Sequence, residues 1–187
     1  MSETTSSRYR LSRAEFEHAI AAGVFDEDAK IELVNGDLHT MTPEGTRHTA
    51  AMNLVARQLG RIFESGAHVR IQNPIAADDH SEPEPDIAVV AGDILDYLDA
   101  HPTTALLVVE IADESLNRDR TVKQRLYARS GIPEYWILAI PESRLEVYRE
   151  PHGDHYASAS RHGAGDTISP LACPGAEIAV RDLLPVR

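Results

Sequence analysis

The sequence predicts a mixed α/β domain. Two observations carry this expectation. Two or three helical patterns with start or stop signals interleave with roughly seven short runs of strand character. The 187 residues suffice for one domain with a sizeable core, and no segment suggests a second.

The elements follow in chain order. Residues 1–10, "MSETTSSRYR", are polar and predict a flexible N-terminal segment, leaving residues 11–187 as a single domain. "LSRAEFEHAIAAG" opens with Ser12 and carries Glu15 three residues on, the spacing of a capping box, with Gly23 as a stop. "KIELVNGDLHTM" reads as a hairpin turning at Asn35-Gly36. "RHTAAMNLVARQLGRIFES" places Ala51, Leu54, Val55, Leu59 and Ile62 at helical spacing, which predicts one buried face. "HVRIQNPI" and "DIAVVAG" are strand candidates, the second entered through Pro83 and Pro85. "LLVVE" is a third, with Glu110 at its end. "DRTVKQRLYARSG" reads as a helix closed by Gly131, with Pro133 just beyond. "EYWILAI" and "RLEVYRE" read as strands joined by a turn at 141–143. The tail alternates only weakly and ends in "VRDLLPVR".

Composition narrows the class. Hydrophobic residues make up 42% and charged residues 26%, as in soluble globular proteins. No apolar stretch nears the ~18 residues of a membrane span. The polar N-terminus lacks a signal-peptide core, so a cytoplasmic protein is expected. Cys173 stands alone, which excludes an internal disulfide and a cysteine metal site. The net charge of −12 argues against broad attraction to nucleic acid. It leaves room for a local basic patch, and "NRDRTVKQRLYAR", residues 117–129, has that character.

Glu110 raises the sharpest question. It follows Leu106, Leu107, Val108 and Val109 in a run that suits a strand covered on both faces. An ionised, unpaired carboxylate in such a place costs several kcal/mol. It therefore lies at the strand's open end, pairs with a cation, or holds a metal. Asp86 opens "DIAVV", and Glu32 sits in the first hairpin strand between Ile31 and Leu33. Carboxylates from several elements meeting in one cleft would hold Mg²⁺, which prefers hard oxygen ligands. Taken singly, each residue has a plainer reading. Asp beside Pro is common turn chemistry, and Glu32 suits a solvent-facing position. Lys123 suits a solvated helix face and His48 a cap. Tyr127 and Trp136 suit packing.

Their order is more telling. "IELVNGDLHTMTP", a His before a helix, "EPDIAVV", "VVEIADESLNRDRTVKQRLYARSGIPEYWIL" and "RLEVYRE" together resemble the Uma-two family of restriction endonucleases, within the PD-(D/E)XK nuclease superfamily. The resemblance spans about residues 10–150 and is most specific over 109–138. It implies a restriction-endonuclease-like core, a mixed β-sheet flanked by helices. It implies Asp86 and Glu110 as metal ligands, with Glu32 completing the shell or binding a second ion. Lys123 would be the catalytic lysine, because Ala112 occupies the usual lysine position two residues after the acid. His48 matches a recurrent histidine of unassigned role. Ala139 stands where relatives commonly carry Asp. The implied activity is Mg²⁺-dependent hydrolysis of DNA phosphodiester bonds, with Mn²⁺ as a substitute ion. A nuclease-like fold retained as a nucleic-acid-binding or assembly module is the alternative. An open strand edge near the hairpin makes a second copy of the chain a candidate partner.

Overall fold

The computed structural model describes residues 8–26, 29–41 and 44–185. The expected flexible segment lies outside them as far as residue 7. Helix α1, Arg13–Ala21, begins with the anticipated capping box: Ser12 accepts from the Glu15 amide while the Glu15 carboxylate accepts from the Ser12 amide. The hairpin forms as β1, Ile31–Val34, and β2, Asp37–Thr40. Its turn has φ of 56° at Asn35 and 79° at Gly36, which suits the Asn-Gly pair. A Cβ on Gly36 would lie 2.6 Å from Arg10 Cβ, so glycine also admits the incoming chain there.

Helix α2, Thr46–Ile62, buries Ala51, Met52, Val55 and Leu59. Leu54 and Ile62, expected in that stripe, are only half-buried, and Met52, not expected in it, is buried. Strands β3 (Ala67–Ile71), β4 (Ile87–Ala91), β5 (Leu107–Ala112), β6 (Glu134–Ala139), β7 (Arg144–His152) and β8 (His155–Gly163) form one sheet in sequential order. Only β5 and β6 run parallel. A parallel pair requires a long crossover, and residues 116–129 supply it. Two short strands, β9 (Thr167–Ile168) and β10 (Ile178–Ala179), pair with each other.

Both faces of the sheet are covered, which explains the continuous apolar run in β5. Leu107, Val109 and Ile111 pack toward α2 with Val55 and Leu59. Val108 and Ala112 pack on the other face with Leu126, Tyr127 and Ile137. Alternation puts Glu110 on this second face. The sequence reading placed Glu110 at the end of its strand. It is the fourth of six residues, because Ile111 and Ala112 continue the pairing with β6.

Two further expectations need correction. The helix read from "DRTVKQRLYARSG" is not uniform. A short α3, Leu116–Arg118, leads into a π-helical turn, Asp119–Lys123, and then α4, Gln124–Arg129. The tail holds β8, a nine-residue strand in which only Tyr156 is buried. An edge strand with so few inward apolar side chains leaves no alternating signal.

Candidate active site

The β4–β5 pairing ends at Ile87 and Val109. The chain enters β4 through "EPEP", whose prolines favour extended neighbours, so Asp86 stands beside the continuing strand β5. Its Oδ2 accepts from the Ile111 amide at 2.6 Å, satisfying a backbone donor that β4 no longer meets. His48, in the first turn of α2, places Nε2 3.2 Å from the same oxygen. On the other side of that ring, Nδ1 lies 3.2 Å from Glu44 Oε2. Burial opposes the imidazolium, but bonding to Asp86 and the charges of Asp86 and Glu44 outweigh it, so the His48 pKa is raised.

Glu110 receives two donors on one oxygen. Lys123 Nζ lies 2.9 Å from Oε1, and the Tyr127 hydroxyl donates to it at 2.8 Å. Burial pushes the Glu110 pKa up, against the pull of Lys123. Burial works against the Lys123 charge too, yet Glu110, Glu32, Asp119 and Asp86 more than compensate and hold the ammonium firmly protonated.

The π turn helps explain this convergence. Positions four apart on an α-helix drift by about 40°. A π turn, with its i→i+5 spacing, rotates less per residue and reverses that drift. Asp119, Lys123 and Tyr127 thus line one stripe, and all three are buried. Asp119 accepts from the Ser115 hydroxyl at 2.5 Å. Burial raises its pKa, with Lys123 and Ser115 opposing.

Glu32, expected to suit a solvent-facing position when read singly, is fully buried. Its hairpin docks on the loop before Asp86 through the paired backbones of Leu33 and Glu82. Oε1 accepts from Arg118 Nη2 at 2.5 Å; Oε2 accepts from the Glu84 amide at 3.2 Å and lies 3.6 Å from Lys123 Nζ.

Glu32, Asp86, Glu110, Lys123 and His48 therefore line one cleft of about 520 Å³. The sequence reading missed Glu44, Arg118 and Asp119, which line it as well, and took Tyr127 for packing alone. Asp119 and Tyr127 lie four residues either side of Lys123, so helical spacing carried a usable signal. Glu44, four residues before His48, carried the same spacing signal, although it reaches the site from the loop before α2.

Asp86 and Glu110 share a feature relevant to metal binding. All their side-chain hydrogen bonds and ion pairs fall on one oxygen each. Asp86 Oδ1 and Glu110 Oε2 have no such partner among the described residues. Two hard oxygens beside an acidic cleft suit Mg²⁺ or Mn²⁺. Among the described residues, the acidic and histidine side chains that bring ligand atoms within 4.8 Å of one another in a group of three are Glu44, His48 and Asp86, a group without Glu110 or Glu32.

A mixed six-stranded sheet flanked by helices, with a carboxylate and lysine cleft where β4 leaves β5, defines a nuclease-like α/β protein. The chain belongs to the Uma2 family, described as "Putative restriction endonuclease", whose profile matches residues 13–181. A solved structure from Anabaena variabilis, titled a "putative nuclease belonging to DUF820", is similar in fold. It has a TM-score of 0.73 and 14% identity, and the match covers 92% of this chain and 97% of that one. No curated protein matches the sequence. No helix among the described residues is long and apolar enough to cross a membrane.

Proposed function

We propose that this protein is a divalent-metal-dependent endonuclease of the cytoplasm that hydrolyses DNA phosphodiester bonds. The observation carrying this reading is the pair Asp86 and Glu110, each bonded through one oxygen and keeping the other unpartnered among the described residues, with Lys123 alongside. These two residues would hold Mg²⁺ or Mn²⁺, which when bound supplies an acidified water and a counter-charge for phosphate oxygens. Lys123, fixed by Glu110 and Glu32, presents a preorganised positive charge to the phosphorane as negative charge builds. His48 and the Ile111 amide hold the Asp86 carboxylate in one orientation. Tyr127 does the same for Glu110. Glu32 would reach a metal only by giving up donors that both its oxygens now use.

The test is a cleavage assay on double- and single-stranded DNA and on RNA, with Mg²⁺, Mn²⁺ or Ca²⁺. Cleavage of DNA with Mg²⁺ or Mn²⁺, lost in Asp86→Asn, is the expected result. Absence of cleavage on every substrate overturns the reading.

One observation favours the alternative, an inactive nuclease fold used for binding or assembly. Eight carboxylates line the cleft against Arg118, Lys123 and His48, a poor balance for drawing in a polyanion unaided. Self-association belongs to both readings. Strand β2 pairs only with β1 among the described residues, and light scattering would report a dimer formed along its edge.

A further inference from the structure

We propose that Arg118 is the phosphate-binding residue of this cleft, and that Glu32 anchors its guanidinium instead of ligating metal. The proposal rests on the phosphodiester reading above and deepens it.

Glu32 differs in kind from Asp86 and Glu110. Its side chain is fully buried, and both oxygens are engaged by protein groups: Arg118 on Oε1, the Glu84 amide and Lys123 on Oε2. A buried carboxylate so occupied makes a rigid anchor and a poor ligand. Arg118 is in the opposite position. Only Nη2 is bonded; Nε and Nη1 have no hydrogen-bond partner among the described residues, and the side chain is 31% exposed at the cleft wall. A guanidinium is a planar fork of five N–H donors that matches phosphate oxygens in pairs. Held by one arm, it can offer the rest to a ligand.

The other cations cannot take this role. Lys123 is 7% exposed and committed to Glu110 and Glu32. His48 is wedged between Glu44 and Asp86. The basic stretch seen in the sequence is dispersed by the fold. Arg120 turns away to Glu142 and Glu146 on the β7 side, and Arg129 pairs with Asp78. Arg118 is the member of that stretch left facing the cleft with donors to spare. Because Lys123 and Arg118 share Glu32 on its two oxygens, a phosphate at Arg118 would neighbour the one facing Lys123. Arg118 thus sets the register of a strand rather than the chemistry of the bond.

Dimethyl phosphate, a single phosphodiester, tests this without catalysis. Titrated with Mg²⁺ present, it should shift the Arg118 Nε–H resonance saturably. An unmoved Arg118 resonance overturns the proposal. With a fluorescein-labelled duplex of about twelve base pairs and Ca²⁺, Arg118→Ala should weaken binding ~10-fold, equivalent to about 1.4 kcal/mol. Arg118→Lys should recover only part, and wild-type affinity in a folded Arg118→Ala protein overturns the proposal. Glu32→Gln should keep the Mg²⁺-dependent rise in Tm; loss of that rise in a folded variant makes Glu32 a ligand and overturns its role as anchor. Inorganic phosphate in place of the diester separates recognition of a strand from capture of a free anion, and preference for the free anion counts against the proposal. If Arg118 responds to dimethyl phosphate while no DNA or RNA is cut, the phosphate site stands and the nuclease reading falls.

Discussion

Lys123 Nζ sits 2.9 Å from Glu110 Oε1 at the foot of the cleft, with the two side chains 7% and 4% exposed. Neither side chain is well solvated: Glu110 and Glu32 support the Lys123 charge, whereas the Glu110 charge is opposed by burial and by the neighbouring carboxylates and supported by Lys123. This answers the problem posed by a carboxylate inside an apolar strand. Glu110 is paired with a cation, and it lines the cleft.

Removing the cation alone leaves the buried Glu110 carboxylate with only the Tyr127 hydroxyl as a side-chain donor among the described residues, while Glu32 keeps Arg118 and the Glu84 amide. Lys123→Met should therefore destabilise the fold by about 3–5 kcal/mol, the usual cost of breaking a buried pair. Adding Glu110→Gln should recover much of that loss. Urea unfolding of the single and double variants reads the coupling. Cleavage by Lys123→Ala should fall ~10²–10³-fold, and Lys123→Arg should not fully restore it, since the bulkier, planar guanidinium cannot occupy the buried position of the ammonium between Glu110 and Glu32. Equal single-turnover rates for wild type and both variants would remove Lys123 from the mechanism.

Metal should stabilise the folded chain. A ligand at a hundred times its Kd contributes about 2.7 kcal/mol, so Mg²⁺ or Mn²⁺ should raise Tm measurably. Asp86→Asn combined with Glu110→Gln should abolish that increment. Lys123→Ala should preserve or enlarge it, because the ammonium repels a cation. A full increment in the Asp86/Glu110 double variant would place the ions elsewhere.

Tyr127→Phe should cost about 1–3 kcal/mol. The ring is fully buried, and its hydroxyl makes one of the two side-chain bonds to Glu110 Oε1. Phenylalanine fills nearly the same space, so unfolding measurements would report the lost donor and not a cavity. A change below about 0.5 kcal/mol would mean that Lys123 alone satisfies the carboxylate.

Much of this architecture was legible in the sequence, and the gaps have physical causes. Ser12 with Glu15 and Asn35 with Gly36 are local signals, and both formed as expected. The acids at 32, 86 and 110 and Lys123 were identifiable through their order, since residues distant in sequence leave no spacing to read. The π turn was not legible because it spans only five residues, Asp119–Lys123, too short a stretch for a change of period to show in the apolar pattern. Arg118 and Arg120 are two residues apart and read alike. Two apart on a helix, they point to different sides, and tertiary packing sets which side meets Glu32 and which Glu146. Strand β8 lacks an apolar face and was invisible for that reason.

A last prediction concerns Glu82, outside the proposed metal site. It is 4% exposed, its Oε2 is buried without a hydrogen-bond partner among the described residues, and its backbone pairs with Leu33. Burial pushes its pKa up to about 7, with Glu17 adding to the rise and Arg13 opposing it. The folded state thus holds this proton more tightly than the unfolded chain, whose value is near 4.5. Folding is favoured by that difference below pH 4.5, and the benefit is lost as pH climbs through about 7. Glu82→Gln keeps the shape and removes the ionisation. The variant should gain stability over wild type as pH rises from 5 to 8, by about 1–2 kcal/mol once partial screening by water is allowed for. Urea midpoints measured across that range decide the matter. A wild-type-to-variant difference that stays constant with pH would mean that Glu82 is already ionised in the folded protein.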